Sequence, residues 1–302
     1  MRILIYGAGT IGCLYGALFS EAGVETAIYA RGKRLELLRE KGLRFRDQNR
    51  VKRARVKILS ELSEEDRYDF VFLCVKQTQV HSALVELRKN RSPNIVTFVN
   101  SLEPYSHWEE LCGAGRLIPG FPGAGGGFEQ DILNASLTPY LIQPTSFGEI
   151  GGQLSERVRI LASLFGRAKI PYQIIPDMHA WQICHLAMVV PLAQAYYEAR
   201  VPSELWKDLR LMRKTALRLQ RNFHFLREGG VPLTPSKMRL FRYLPLSVLS
   251  GSLSLLYRSE FADLFMYRHS MNAPEEMREL KRQFYRYLRE LRIDKPRKGS
   301  TR

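Results

Sequence analysis

An α/β fold is predicted for this chain: an N-terminal doubly wound, mostly parallel sheet, followed by an all-α C-terminal domain. Three observations predict it. Residues 1–176 alternate short apolar runs with stretches of helical spacing, the pattern of a parallel sheet with crossover helices. The run DFVFLCV at 69–75 is continuously apolar, as befits a strand buried on both faces. After Asp177 the texture changes, and the rest reads as helices with little strand signal.

The elements follow in order. RILIY (2–6) is a short apolar strand, and Gly12 to Ala22 has helical apolar spacing. ETAIYA (25–30) is a second strand, with a helix through Leu35–Lys41. ARVKIL (54–59) reads as a strand, and DFVFLCV as the next. A helix around Val80–Lys89 leads to NIVTFVNS (94–101), and a short helix near Trp108–Leu111 precedes RLIPGF. PYLIQP, a helix at Glu156–Ala168 and PYQIIP (171–176) complete the first domain. Pro176-Asp177 marks the boundary, because proline ends the strand and aspartate can cap a helix. Beyond it, helices are expected at Ala180–Ala199, Ser203–Arg227, Pro245–Leu256, Ser259–Met271 and Pro274–Leu291. The domains are therefore 1–176, 177–293 and a basic tail, 294–302.

Composition narrows the class. The chain of 302 residues is 45% apolar and 25% charged, ordinary for a soluble globular protein. No apolar run reaches the roughly 18 residues a membrane span needs, and no signal peptide is visible. Four scattered cysteines lack CxxC spacing and six histidines lack metal spacing, so reduced thiols, a cytoplasmic location and no metal site are expected. The net charge of +16 is uneven: +5 over residues 1–176 and +11 over 177–302. A basic surface attracts anions without choosing among them. The basic helices at 206–227 and 278–292 read as a solvated face or a partner surface, and no nucleic-acid motif accompanies them.

The sharpest motif is Gly7-Ala8-Gly9-Thr10-Ile11-Gly12, which fits GxGxxG. It has a strand before it and a helix after it, the context that makes the pattern a dinucleotide-binding turn. The first glycine permits the turn, the second lets the backbone approach a pyrophosphate, and the third lets helix pack on sheet. Free N–H groups at the helix start suit phosphate. Binders of NAD usually place an acid at the end of the second strand. This chain has Tyr29-Ala30-Arg31-Gly32-Lys33-Arg34 there, three cations and no acid. Arg31 can grip a 2′-phosphate bidentately, so NADP(H) is the expected cofactor.

Together with Tyr15-Gly16 and Ala22-Gly23 in the following helix, a Val75-Lys76 pair ending the fourth strand and a helical second half, these residues resemble the ketopantoate reductases (2-dehydropantoate 2-reductases). The resemblance runs over nearly the whole chain, strongest over 1–100. It implies NADPH-dependent reduction of a 2-oxo acid. It also implies that Lys76 and Gln79, in Val75-Lys76-Gln77-Thr78-Gln79, lie along the nucleotide, and that Asn100 stands near the nicotinamide. Arg258-Ser259-Glu260 resembles a family motif whose Glu helps hold the nicotinamide side or the substrate, and Asn272-Ala273-Pro274-Glu275 resembles the start of the last helix. Read physically, Lys76 is a ligand contact or a solvated loop residue, and Glu260 a site residue or a surface salt-bridge partner.

The chain departs from the family at the catalytic centre. The family's general acid is a lysine on the first helix of the second domain. Aligned on Pro191-Leu192 its slot here is Gln182, and aligned on Trp181 it is Ile183. Two family asparagine positions fall on Leu186 and Val190, and no lysine lies between Lys169 and Lys207. A positioned general acid contributes about 10²–10⁴-fold in rate. His185, one turn from Gln182, is the nearest substitute, or else a hydrogen-bonded histidine in a buried interface. The glycine-rich stretch Pro119–Gly127 is expected as a loop walling the site.

The expectation is a divergent member lacking the catalytic lysine. Gly7, Ala8, Gly9, Thr10, Ile11, Gly12, Arg31, Lys76, Gln79 and Asn100 would bind NADP(H). His185, Gln182, Asn100 and Glu260 would serve a small anionic carbonyl substrate. No membrane or nucleic-acid partner is expected, and a homodimer is allowed. The alternative is a catalytically inactive NADP(H)-binding sensor or interaction protein.

Overall fold

The structure is a computed structural model that describes residues 1–267, 270–271 and 274–293. The expected tail 294–302, and Asn272-Ala273 of the last-helix motif, lie outside the described residues. The chain divides into two compact units, Met1–Met178 and the residues from His179 onward.

The first unit is built on an eight-stranded sheet. Its strands are β1 (Arg2–Tyr6), β2 (Glu25–Tyr29), β5 (Lys57–Leu59), β6 (Phe70–Leu73), β7 (Ile95–Phe98), β8 (Leu117–Phe121), β11 (Thr145–Phe147) and β12 (Tyr172–Ile174). Their spatial order is β12-β11-β8-β7-β6-β1-β2-β5, with only the β8–β11 pair antiparallel. The six strands from β5 to β8 thus follow the Rossmann order. Side chains of a strand alternate between faces, and the core sorts accordingly. Ile3, Ile5 and Phe72 pack with Phe19 of α1 (Thr10–Glu21) and Phe165 of α5 (Glu156–Arg167). Leu4, Tyr6, Val71 and Leu73 pack with Leu84 and Leu87 of α3 (Val80–Lys89) and Trp108 of α4 (Tyr105–Cys112). Helices on both faces explain why β6 and β7 read as unbroken apolar runs.

Three details of this unit differ from the sequence reading. PYLIQP (139–144) is a turn, and the strand beside it is β11. The strand expected over 54–59 is the end of β4 (Arg50–Ala54) plus β5, because the chain leaves a hairpin with β3 (Leu43–Asp47) before joining the edge of β2. The glycine stretch, expected as a loop, is largely strand. It supplies β8 and β9 (Ala124–Glu129), and β9 pairs antiparallel with β10 (Ile132–Leu137) in a second sheet of order β4-β3-β10-β9. At Gly126, φ is +136° and a Cβ would lie 2.4 Å from the Cα of Ala135, so only glycine fits that close pairing.

The second unit is helical: α6 (Met178–Glu198), α7 (Leu209–Glu228), α8 (Leu246–Arg258), α9 (Glu260–Ala262) and α10 (Pro274–Ile293), with short 3₁₀ turns at Pro202–Lys207 and Ser236–Arg242. The helix expected over 203–227 is broken at Asp208, whose carboxylate accepts the Leu211 N–H at 2.9 Å and caps α7. Leu211, Thr215, Leu219, Asn222 and Leu226 form the buried stripe of α7. On its other face Lys214 and Arg218 pair with Glu198 at 2.9 and 2.8 Å. Pro191 lies inside α6 and offers no N–H to the carbonyl of Ala187. The side-chain amide of Asn222 donates to that carbonyl instead, at 3.0 Å. No helix among the described residues is long and apolar enough to cross a membrane.

Candidate nucleotide site

Strands β1, β2, β6 and β7 are parallel, so the segments that follow them emerge at one edge of the sheet. Those segments are Gly7–Gly12, Ala30–Arg31, Cys74–Gln79 and Val99–Ser101. Strand order reverses between β1 and β6, and ligands of such sheets bind at that carboxyl-end crevice. The fold therefore brings Gly7, Ala8, Gly9, Thr10, Ile11, Gly12, Arg31, Lys76, Gln79 and Asn100 to a common edge. His185, Gln182 and Glu260 belong to the helical unit.

The turn has the shape its spacing predicts. At Gly7, φ is +113° and a Cβ would lie 2.4 Å from the carbonyl oxygen of Cys74. At Gly12 a Cβ would lie 2.0 Å from the carbonyl oxygen of Gly7. Gly9 is the opposite case, with no atom within 4 Å of the place a Cβ would take. Gly9 is also the N-cap of α1, has no side chain to cap it, and no acid lies in the first turn. Open space beside uncapped helix N–H groups fits a pyrophosphate. Behind the turn, Arg34 donates to the Ala8 carbonyl at 3.1 Å while its guanidinium lies 3.8 Å from the ring centre of Phe128 on β9. Arg34 thus links the glycine-rich hairpin to the turn.

Around this turn stand groups of differing engagement. Lys76 is exposed, forms none of the ion pairs among the described residues, and has its backbone N–H bonded to the side-chain oxygen of Gln79 at 3.3 Å. Asn100 follows β7 half-buried, and its Oδ1 is buried with no hydrogen-bond partner among the described residues. An unpaired buried acceptor is costly unless something else meets it, so it fits a ligand contact. Arg31, by contrast, is engaged. Its Nε donates to the Tyr29 hydroxyl at 2.8 Å and its Nη2 to the Tyr6 hydroxyl at 3.2 Å, and it pairs with Glu86 of α3. Both tyrosine hydroxyls also donate to Glu86, each at 2.7 Å. Burial would lift the Glu86 carboxyl, but the bonds from Tyr6, Tyr29 and Arg31 outweigh it and hold it below its ordinary range. Burial, then the bond to Glu86, pushes the Tyr6 phenol up.

Sequence reasoning missed Glu86. It lies 55 residues from Arg31 on an amphipathic helix, and nothing in its spacing distinguishes it from a solvated charge.

Residues 3–132 match the family described as Ketopantoate reductase PanE/ApbA. They form a ketopantoate reductase family domain. The 2-dehydropantoate 2-reductase of Archaeoglobus fulgidus is 43% identical over 75 residues, 25% of this chain and 24% of that protein. An uncharacterized oxidoreductase of Bacillus subtilis, YkpB, is 24% identical over 176 residues, 56% of this chain and 55% of that protein. The chain thus matches about a quarter and about half of the length of these curated relatives. The fold likeness is broader. A PanE/ApbA family ketopantoate reductase from Ralstonia eutropha superposes with TM-score 0.66 at 17% identity, covering 97% of this chain and 99% of the other. D-mandelate dehydrogenase with NADH and anilino(oxo)acetate gives 0.68 at 14% identity over 97% and 99%.

The ketopantoate reductase family domain ends before the residues proposed for proton transfer. On α6, Gln182 is fully buried and His185 is 5% exposed. The His185 ring stacks on Trp181, centroids 5.1 Å apart and 7° from parallel. Leu186 and Val190 are buried. Glu260 is exposed in the first turn of α9 and forms none of the ion pairs among the described residues. The hydroxyls of Tyr196 and Tyr197 donate to the carbonyls of Ala262 and Ser270, so both brace the helical unit. A concavity of about 750 Å³ also lies in this unit, with Arg221, Lys281 and Arg289 around Phe225 and Tyr285. All four cysteines are free, and burial pushes the Cys112 thiol up to about 11. No cluster of three or more metal-binding side chains occurs among the described residues.

Proposed function

We propose that the chain is an NADPH-dependent oxidoreductase that reduces a 2-oxo acid or related small anionic carbonyl, in the manner of the ketopantoate reductases. The open, uncapped cradle at Gly9 is the observation that carries the reading, because among the described residues no atom comes within 4 Å of the place a Cβ would take there. NADPH would supply the hydride. The backbone N–H groups of Gly7–Gly12 would hold the pyrophosphate, with Lys76 and Gln79 along the nucleotide. Arg31 would meet the 2′-phosphate, and the free acceptor of Asn100 would orient the nicotinamide side. The proton for the carbonyl oxygen would come from His185, or from water ordered by Gln182, and Glu260 would help hold the reactants. A cytoplasmic setting suits four free thiols.

A second reading has its own observation. Leu186 and Val190 are core residues where the family has asparagines, and His185 is stacked and buried. That favours a chain that binds NADP(H) as a sensor or interaction protein without turnover.

NADPH oxidation over a panel of 2-oxo acids, ketopantoate first, separates the two. On the enzyme reading the wild type turns over, and His185→Ala lowers kcat by about 10²–10⁴-fold with NADPH affinity unchanged. If the wild type binds NADPH but reduces nothing, while Gln182→Lys gains ketopantoate reduction, the sensor reading stands.

A further inference from the structure

The sequence offers Arg31 where NAD binders carry an acid, yet the folded protein returns an acid to that place. Tyr6 and Tyr29 end β1 and β2 side by side in register, with ring centres 4.7 Å apart. Their hydroxyls converge with Glu86 and Arg31 into one closed network. Of the Arg31 nitrogens, Nε and Nη2 are committed within it, while Nη1 makes none of the hydrogen bonds among the described residues. The Glu86 carboxylate is two-thirds buried, its side chain 32% exposed, and held in its ionised form by three donors. Arg31 therefore already has an anion, on the strand end where a 2′-phosphate would need it.

A phosphate arriving there meets two costs. It must share or displace the carboxylate on a planar fork with a fixed set of donors. It also sits near a like charge, the Glu86 carboxylate, whose repulsion solvent at the 61% exposed Arg31 side chain screens only in part. A dinucleotide with a free 2′-hydroxyl meets neither cost, and a carboxylate beside it is a hydrogen-bond acceptor of the kind NAD sites use.

We propose that Glu86 is a specificity-determining residue: by holding Arg31 it narrows the preference for NADPH, so that NADH is also bound at working concentrations. The proposal rests on the assignment of Arg31 to the 2′-phosphate. Glu86 acts through Arg31 and is a positioning residue, not a catalytic one.

The test is direct binding, read by quenching of intrinsic tryptophan fluorescence, with NADPH and NADH titrated separately into wild type, Glu86→Gln and Arg31→Ala at one ionic strength. Glu86→Gln should tighten NADPH by about tenfold, the worth of one charge-assisted hydrogen bond, and leave NADH within about twofold. Arg31→Ala should weaken NADPH and spare NADH. If Glu86→Gln leaves the NADPH-to-NADH ratio unchanged, or weakens both alike with a lower Tm, Glu86 is only a brace and the proposal is overturned. If Arg31→Ala leaves that ratio unchanged, the assignment of Arg31 has failed, and the proposal falls with it. If Arg31→Ala shifts the ratio and Glu86→Gln does not, the proposal alone fails.

Discussion

The edge of the sheet and the core of the helical unit use polar groups in opposite ways. At the edge, the start of α1 has no side-chain cap, the Oδ1 of Asn100 has no hydrogen-bond partner among the described residues, and the exposed Lys76 forms none of the ion pairs among them. In the helical unit, Asn222 serves the carbonyl that Pro191 abandons, and Tyr196, Tyr197 and Tyr257 donate to backbone carbonyls. The first arrangement keeps recognition capacity, whereas the second satisfies the fold's own needs. The glycine turn keeps open space beside its helix start, while Gln182, Leu186 and Val190 of α6 are packed as core.

The strongest way to break this contrast is at the turn. Gly12→Ala would place a methyl 2.0 Å from the Gly7 carbonyl, and the turn cannot yield without moving α1 off the sheet. NADPH affinity should fall by about a hundredfold or more, with a lower Tm. Gly9→Ala sharpens the point, because its methyl meets no protein atom within 4 Å and its φ of −76° suits alanine. Thermal stability should be unchanged while NADPH binding weakens. Equal NADPH affinity in Gly9→Ala and wild type would mean that no pyrophosphate lies against Gly9.

Not every polar group of the first unit is kept for a ligand. Glu149 follows β11 with its side chain 3% exposed, accepting from Arg157 Nε at 2.7 Å and pairing with Nη2 at 2.5 Å. Burial raises its carboxyl, but Arg157 and Ser155 outweigh that and hold it below its ordinary value. A depressed carboxylate contributes stability above the unfolded-state pKa, near 4.3, that is lost as pH falls through the folded value. Glu149→Ala leaves Arg157 without its carboxylate and should cost about 3 kcal/mol, a Tm drop of about 6–12 °C at pH 7. The gap should narrow below about pH 4. Differential scanning calorimetry from pH 3 to pH 8 reads this, and a gap that is constant with pH would refute the charge account.

These contrasts show what was legible in the sequence. The Rossmann half was, because glycine spacing and two-faced burial leave marks at fixed offsets: Gly7, Gly9 and Gly12 could be assigned roles from spacing alone. Long-range partners left no such mark. Glu86 reaches Arg31 only because parallel crossover topology carries α3 past the ends of β1 and β2. The second sheet was hidden because glycine has little strand propensity, and its pairing with β10 is set by neighbours such as Phe128 and Leu133. On α6 the absence of any lysine was plain, but the stacking of His185 on Trp181 was not.

The smallest effect tests the other side of the comparison. Pro191 leaves the Ala187 carbonyl without its helical donor, and Asn222 supplies one from α7, 35 residues away. Asn222→Ala removes that donor from a fully buried position, at a cost of about 1–3 kcal/mol. The lower end is expected, because the Oδ1 of Asn222 has no partner among the described residues and its removal relieves a burden. Pro191→Ala restores an N–H that can bond Ala187 within the helix. In that background Asn222 is redundant, so Asn222→Ala should cost about 1 kcal/mol less than it does beside Pro191. Urea denaturation of the four proteins in this cycle measures the difference. A coupling of zero would mean that Asn222 is there for its shape alone, and that its amide does not stand in for the N–H that Pro191 lacks.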